Sequence, residues 1–71
     1  MKPGDIVFMW VDTGCFGMQP HFGRLIRVNR KTATVFWESG RTVRTPLHLI
    51  SVEDSISVIE WANEKISKAN A

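Results

Sequence analysis

Several things are scarce in this 71-residue chain, and each scarcity closes off a class of function. There is a single cysteine, Cys15, so no internal disulfide can form and a reducing, cytoplasmic setting is expected. No apolar run approaches the roughly 20 residues that cross a bilayer, and Met1-Lys2-Pro3-Gly4-Asp5 has no apolar stretch of signal-peptide type, so no membrane partner is expected. Cys15, His21 and His48 are the only soft ligands, and the gap between Cys15 and His21 fits no zinc spacing. Neither a metal nor a cofactor is therefore expected. A Gly-rich phosphate loop, a His-Glu-x-x-His helix and a serine nucleophile elbow are all missing, and nothing supplies the third orienting group that a Cys-His nucleophile needs. So short a chain leaves little room for both a cleft and a catalytic constellation. A non-enzymatic binding module is the expectation, and residues 1–71 form one domain.

What is present is an ordinary globular composition, 44% hydrophobic and 23% charged, with an uneven distribution of charge behind a net of +2. Residues 13–52 hold Arg24, Arg27, Arg30, Lys31, Arg41 and Arg44 against Glu38 alone, whereas the segment from residue 53 onward is acidic on balance. A basic body thus precedes an acidic tail. Clustered guanidinium groups attract polyanions and displace their counterions, which makes these six cations the candidate nucleic-acid-binding residues. Six cations scattered round a small sheet would instead be a solvated rim. Their convergence in space decides between the two.

Asp5 to Val11 contains the β-rich run Ile-Val-Phe-Met-Trp-Val, opened by Pro3-Gly4 and closed by Asp12-Thr13-Gly14. From Thr13 to Gly23 the density of glycine, with Pro20, predicts a long loop carrying Phe16, Met18, His21 and Phe22. A second strand is predicted over Gly23 to Asn29, a polar turn at Asn29-Arg30-Lys31, a third strand over Thr32 to Glu38 and a fourth over Arg41 to Thr45. Pro46 stops the fourth strand, and Leu47 to Ser51 reads as a helical turn leading into a last short strand. Val35 and Trp37 face inward on alternating positions. Phe36 then points outward, unless the Ser39-Gly40 turn sets it opposite Val43 and makes the pair core.

After Ser51 the hydrophobic period changes from two to 3.6. Val52, Ile56, Val58, Ile59, Ala62, Ile66 and Ala69 fall in one sector with Glu53, Glu60, Glu64 and Lys68 opposite, predicting an amphipathic helix over about residues 53–68. Ser51, three residues before Asp54, supplies a Ser-x-x-acid start signal. Trp61 lies outside the apolar sector and is expected to be partly exposed or to pack beyond its own domain.

Taken in order, Pro3-Gly4-Asp5-Ile6-Val7, Gly23-Arg24-Leu25-Ile26-Arg27-Val28, Thr32 to Arg41 and Arg44-Thr45-Pro46-Leu47-His48-Leu49-Ile50 resemble the motifs of small SH3-like β-barrels of the Tudor, KOW and integrase C-terminal type. The resemblance covers about residues 3–51. It implies a mainly β fold, an SH3-like barrel of four to five antiparallel strands, followed by one C-terminal amphipathic helix. It also implies binding rather than chemistry: modified side chains in Tudor-like aromatic cages, and RNA, DNA or proteins in the others. No tyrosine is available for a cage, which leaves Trp10, Phe16, Phe22 and Phe36 as candidate rings. Plasmid-type dihydrofolate reductases are similar in fold alone, and this chain lacks their Val-Gln-Ile-Tyr strand.

Two functions from different classes follow. In the first, Arg24, Arg27, Arg30, Lys31, Arg41 and Arg44 engage the phosphates of DNA or RNA while exposed rings at Trp10, Phe22 or Phe36 stack on bases. In the second, the chain is a protein-interaction or assembly subunit of the kind found in phage and mobile-element genomes, where such parts also serve as inhibitors of a host protein, and it buries Trp61 and the loop around Phe16 against copies of itself or another protein. The small core of a lone 71-residue domain motivates that alternative.

Overall fold

In a computed structural model, which describes residues 1–69 with the side chain of Ala69 excepted, five antiparallel strands form one sheet and a single helix follows. The strands are β1 (Ile6–Asp12), β2 (Met18–Val28), β3 (Thr32–Trp37), β4 (Thr42–Pro46) and β5 (Ser51–Val52), with a 3-10 turn at Leu47–Leu49 and helix α1 at Ile56–Ala69. The order across the sheet is β4-β3-β2-β1-β5. The sheet is open, with β4 and β5 at its edges, so the expected barrel is corrected to an unclosed sheet. Two-residue β5 pairs only with Val7 and Phe8 of β1, and no strand joins it to β4.

The predicted long loop is also corrected. β2 begins at Met18, and the connection from β1 is only Thr13–Gly17. Asp12 Oδ1 accepts the Gly14 N–H at 2.8 Å, and the Thr13 hydroxyl donates to the Gly17 carbonyl at 2.7 Å. Gly14 and Gly17 hold φ of 75° and 73°, a left-handed backbone that closes the turn and is open to glycine at little cost. Pro20 is tolerated in a strand because β3 does not reach it: pairing of β2 with β3 starts at Gly23, opposite Trp37.

Side chains alternate between the two faces of the sheet, and each face has its own core. On one face Val7, Leu25, Ala33, Val35, Trp37 and Ile50 pack together, with Met9, Val28 and Leu47 at the margin. On the other, Ile6 and Phe22 receive Ala62 and Ile66 of α1, flanked by Phe8, Phe36, Val58 and Ile59. Phe36 faces outward from the first core as expected, yet α1 covers it. Its register partner is Thr42, and Val43 lies opposite Val35. The core pairing of Phe36 with Val43 is therefore overturned, and so is full exposure, because α1 brings a second core to that face.

A bulge at Ile26, between Leu25 opposite Val35 and Arg27 opposite Thr34, keeps both Leu25 and Val28 in the first core. Gly23 sits where a Cβ would lie 2.4 Å from Val35 Cγ1 and 2.8 Å from Trp37 Cε3. Its missing side chain is what lets the Trp37 indole lie against β2.

The helix starts at Ile56, three residues later than the sequence signal. Ser51 and Val52 are held in the sheet by β1, and the Glu53 N–H donates to the Ile6 carbonyl at 2.9 Å, so the chain is extended there. Glu53 Oε1 instead accepts the N–H groups of Asp54 and Ser55, both at 3.0 Å. Of the predicted apolar sector, Ala62 and Ile66 are buried, Val58 and Ile59 half-buried, and Val52 and Ile56 exposed. The burial of Ala69 lies outside the described residues.

Candidate functional surface

The strand registers place the six candidate cations. Arg27 pairs with Thr34, and Thr34 with Arg44, so the three form one row across β2, β3 and β4 on the helix-bearing face. Neighbouring strands are about 4.8 Å apart, which sets the two guanidinium stems about 10 Å from one another. Arg27 and Arg44 are both exposed. Arg24 lies in the next row, Arg24–Phe36–Thr42, where it is half-buried and donates to Asn63 Oδ1 of α1 at 3.0 Å. Arg30 and Lys31 are exposed in the β2–β3 turn, just past the Arg27 row. Four of the six cations, Arg27, Arg30, Lys31 and Arg44, thus gather at one end of the sheet, with Arg24 midway along it. Arg41 does not: it lies in the β3–β4 turn at the other end, where its carbonyl accepts the Trp37 N–H.

Aromatic side chains are collected at the opposite end of the same face. Ring contacts run from Trp10 to Phe8 (6.5 Å between centroids), Phe8 to Phe22 (5.9 Å) and Phe22 to Trp61 (5.4 Å). Phe22 is only 7% exposed, because β2 reaches back past it and α1 covers it, so its proposed role as an accessible contact ring is corrected. The two ends of the ladder are open: Trp10 is 58% and Trp61 48% exposed, with Phe16 and Met18 exposed nearby at the hairpin tip. Met18, Pro20 and Trp10 share the helix-bearing face through the Asp12–Met18 and Trp10–Pro20 pairings. Lys65 Nζ sits 4.7 Å from the Trp61 ring centroid and 3.8 Å from Glu38 Oε1, tying that flank of the helix to the sheet.

None of the aromatic rings adjoins the Arg27 row except half-buried Phe36. From Pro20 to Arg27 the strand advances about 20 Å. The exposed rings and the Arg27 row are therefore two separate patches along one face and not one mixed patch.

Two depressions open near the β3–β4 turn. One, of about 380 Å3, is lined by His21, Glu38, Ser39, Lys65 and Lys68, and Glu38 Oε2 is buried there without a hydrogen-bond partner among the described residues. The other, of about 230 Å3, lies on the face opposite the helix and is lined by Met9, His21, Trp37, Ser39, Arg41, Val43 and Thr45. The sequence offered Arg41 and His21 separately and gave no sign that they line one depression. That placement depends on β2 extending through His21, which the density of glycine and proline concealed.

Cys15 is exposed in the hairpin loop, and among the described residues no group of three or more His, Cys, Asp or Glu side chains is placed to hold a metal ion. No described helix is long and apolar enough to cross a membrane. No protein-family model matches the chain, and no curated protein or solved structure is significantly similar to it.

Proposed function

We propose that this protein is a non-enzymatic nucleic-acid-binding module that holds phosphates at the basic end of its sheet. The observation that carries the reading is the Arg27–Thr34–Arg44 row, which sets two exposed arginines on one face of a three-strand surface, two strand spacings apart. Arg30 and Lys31 extend that row at the adjoining turn. Contacts of this kind fix a polyanion by charge and carry no sequence information, so binding is expected to be non-specific and strongly salt-dependent. Arg24, half-buried and bonded to Asn63 of α1, and Arg41, at the β3–β4 turn, lie outside the row. The likeness to small SH3-like domains of the Tudor and KOW type belongs to the same proposal, supported by the order of its motifs along residues 3–51.

The test is binding of a labelled mixed-sequence 20-mer, single-stranded and duplex, at two salt concentrations, to the wild type and to the Arg27→Gln/Arg44→Gln double variant. Each lost phosphate contact should lower the log–log salt slope by about 0.7 to 0.9. The double variant should therefore bind less tightly and with a slope shallower by about 1.4 to 1.8. Unchanged affinity and slope would remove the row from the function.

A second reading, a protein-interaction or assembly subunit, is favoured by the open aromatic end. Trp10, Phe16, Met18 and Trp61 expose apolar surface within one region, the composition found at protein contacts. If that end mediates self-association, Trp61→Ala should shift the mass measured by light scattering toward the monomer while leaving the far-ultraviolet spectrum intact. An unchanged mass would count against self-association there.

A further inference from the structure

The smaller cleft on the face opposite the helix has a chemistry independent of the basic row. It lies where the open sheet leaves a seam: Met9 comes from β1, Val43 and Thr45 come from the edge strand β4, and all three line one space of about 230 Å3. Trp37, held against β2 by the absence of a side chain at Gly23, lines it together with Met9 and Val43 as apolar surface. The polar groups are Arg41, His21, Ser39 and the buried Thr45. No carboxylate is among the lining residues, because Glu38 belongs to the neighbouring depression with Lys65. An apolar wall with one guanidinium and hydrogen-bonding groups matches a compact apolar body bearing one anionic group. The guanidinium fork fits a carboxylate in two parallel hydrogen bonds. The space is below the roughly 300 Å3 at which drug-sized sites begin, so one ring or branched side chain fills it.

We infer that this cleft binds an aromatic or branched aliphatic carboxylate, with the apolar group against Trp37, Met9 and Val43 and the carboxylate on Arg41. The same chemistry is offered by a free small acid and by the last residue of a peptide chain.

The probes are 3-phenylpropionate, its neutral amide, and an acetylated tripeptide ending in phenylalanine with either a free or an amidated terminus. Binding is followed through the Trp37 indole N–H and the His21 ring signals in a nuclear magnetic resonance titration of the full chain. Both free acids should move these signals in a saturable way. Both amides should bind about tenfold more weakly or worse, the loss expected for a charge-assisted pair. Arg41→Gln should reduce the affinity for the acids to that of the amides, while its unperturbed spectrum elsewhere shows a folded chain. Saturation by the tripeptide at tenfold lower concentration than by 3-phenylpropionate would identify a chain terminus as the source, and the reverse order a small acid. Equal binding of acids and amides, no saturable shift up to 20 mM, or tighter binding of uridine monophosphate than of either acid would overturn the assignment. The Arg27→Gln/Arg44→Gln variant should retain full binding of the acids, so failure here and failure of the nucleic-acid reading are distinguishable.

Discussion

The two ends of the helix-bearing face are carried by the same strand, β2, yet they differ in everything that governs binding. At the Arg27 end, β2 is paired with β3 and β3 with β4, so Arg27 and Arg44 stand on a three-strand surface with Thr34 between them. At the Trp10 end, β2 has only β1 beside it, and exposed Trp10 and Phe16 project from a two-stranded hairpin while Trp61 is supplied by α1. Cations are thus fixed on the broad part of the sheet and apolar side chains on its narrow extension, with α1 lying between. The lesson is that charge and aromatic content, adjacent in sequence, are separated in space by how far each strand finds a partner.

Removing the shared support should break both ends together. Leu25 and Val35 are among the largest fully buried side chains, and Leu25→Ala should cost about 2 to 5 kcal/mol of stability. A chemical-denaturation midpoint unmoved by that change would mean the first core does not hold the sheet. Ile66→Ala, in the second core, should cost a similar or slightly smaller amount and loosen α1 in particular. Faster amide exchange in residues 56–69 than in β3 would report this, and uniform exchange would show the helix and sheet unfolding as one unit.

Gly23→Ala sharpens the comparison at the point where the hairpin becomes a broad sheet. The added Cβ would meet Val35, Trp37 and the Phe36 carbonyl, and overpacking of this kind costs about 1 to 3 kcal/mol. It should also displace the Trp37 indole, seen as a shift in its fluorescence maximum; a stable variant with unchanged emission would show that β2 gives way instead.

The smallest effect is expected from Lys65→Ala. Its contacts with Glu38 and Trp61 are partly exposed, so a change within about 1 kcal/mol is expected in the same denaturation measurement.

Much of this architecture was legible in the sequence. β-branched and aromatic runs marked β1, β3 and β4, Asn29-Arg30-Lys31 marked the hairpin turn, and the 3.6 period marked α1. The partial exposure of Trp61 followed from its place on the helical wheel. The extension of β2 from Met18 did not, because Pro20 and the glycines at 14, 17 and 23 carry the signals of a loop, and only the absence of a β3 partner makes Pro20 acceptable. Phe22 went to the wrong class for the same reason. Phe36 escaped because alternation identifies an outward residue without revealing that a distant helix lies over it. The candidate cations were legible by type, but their division into Arg27, Arg44 and the turn on one side and Arg41 on the other is a matter of register. A bulge at Ile26 sets that register, and no local pattern announced it.

The most direct test of the central claim, that polyanions are held at the basic end and not at the aromatic end, is residue-resolved amide and indole shift mapping during titration with a mixed-sequence single strand and duplex in low salt. Shifts concentrated at Arg27, Arg30, Lys31, Thr34 and Arg44, fading as salt is added, are the expected result, with the Trp10 and Trp61 indoles unmoved. Shifts centred on Trp10, Phe16 and Trp61, or no shifts at any salt concentration, would contradict it.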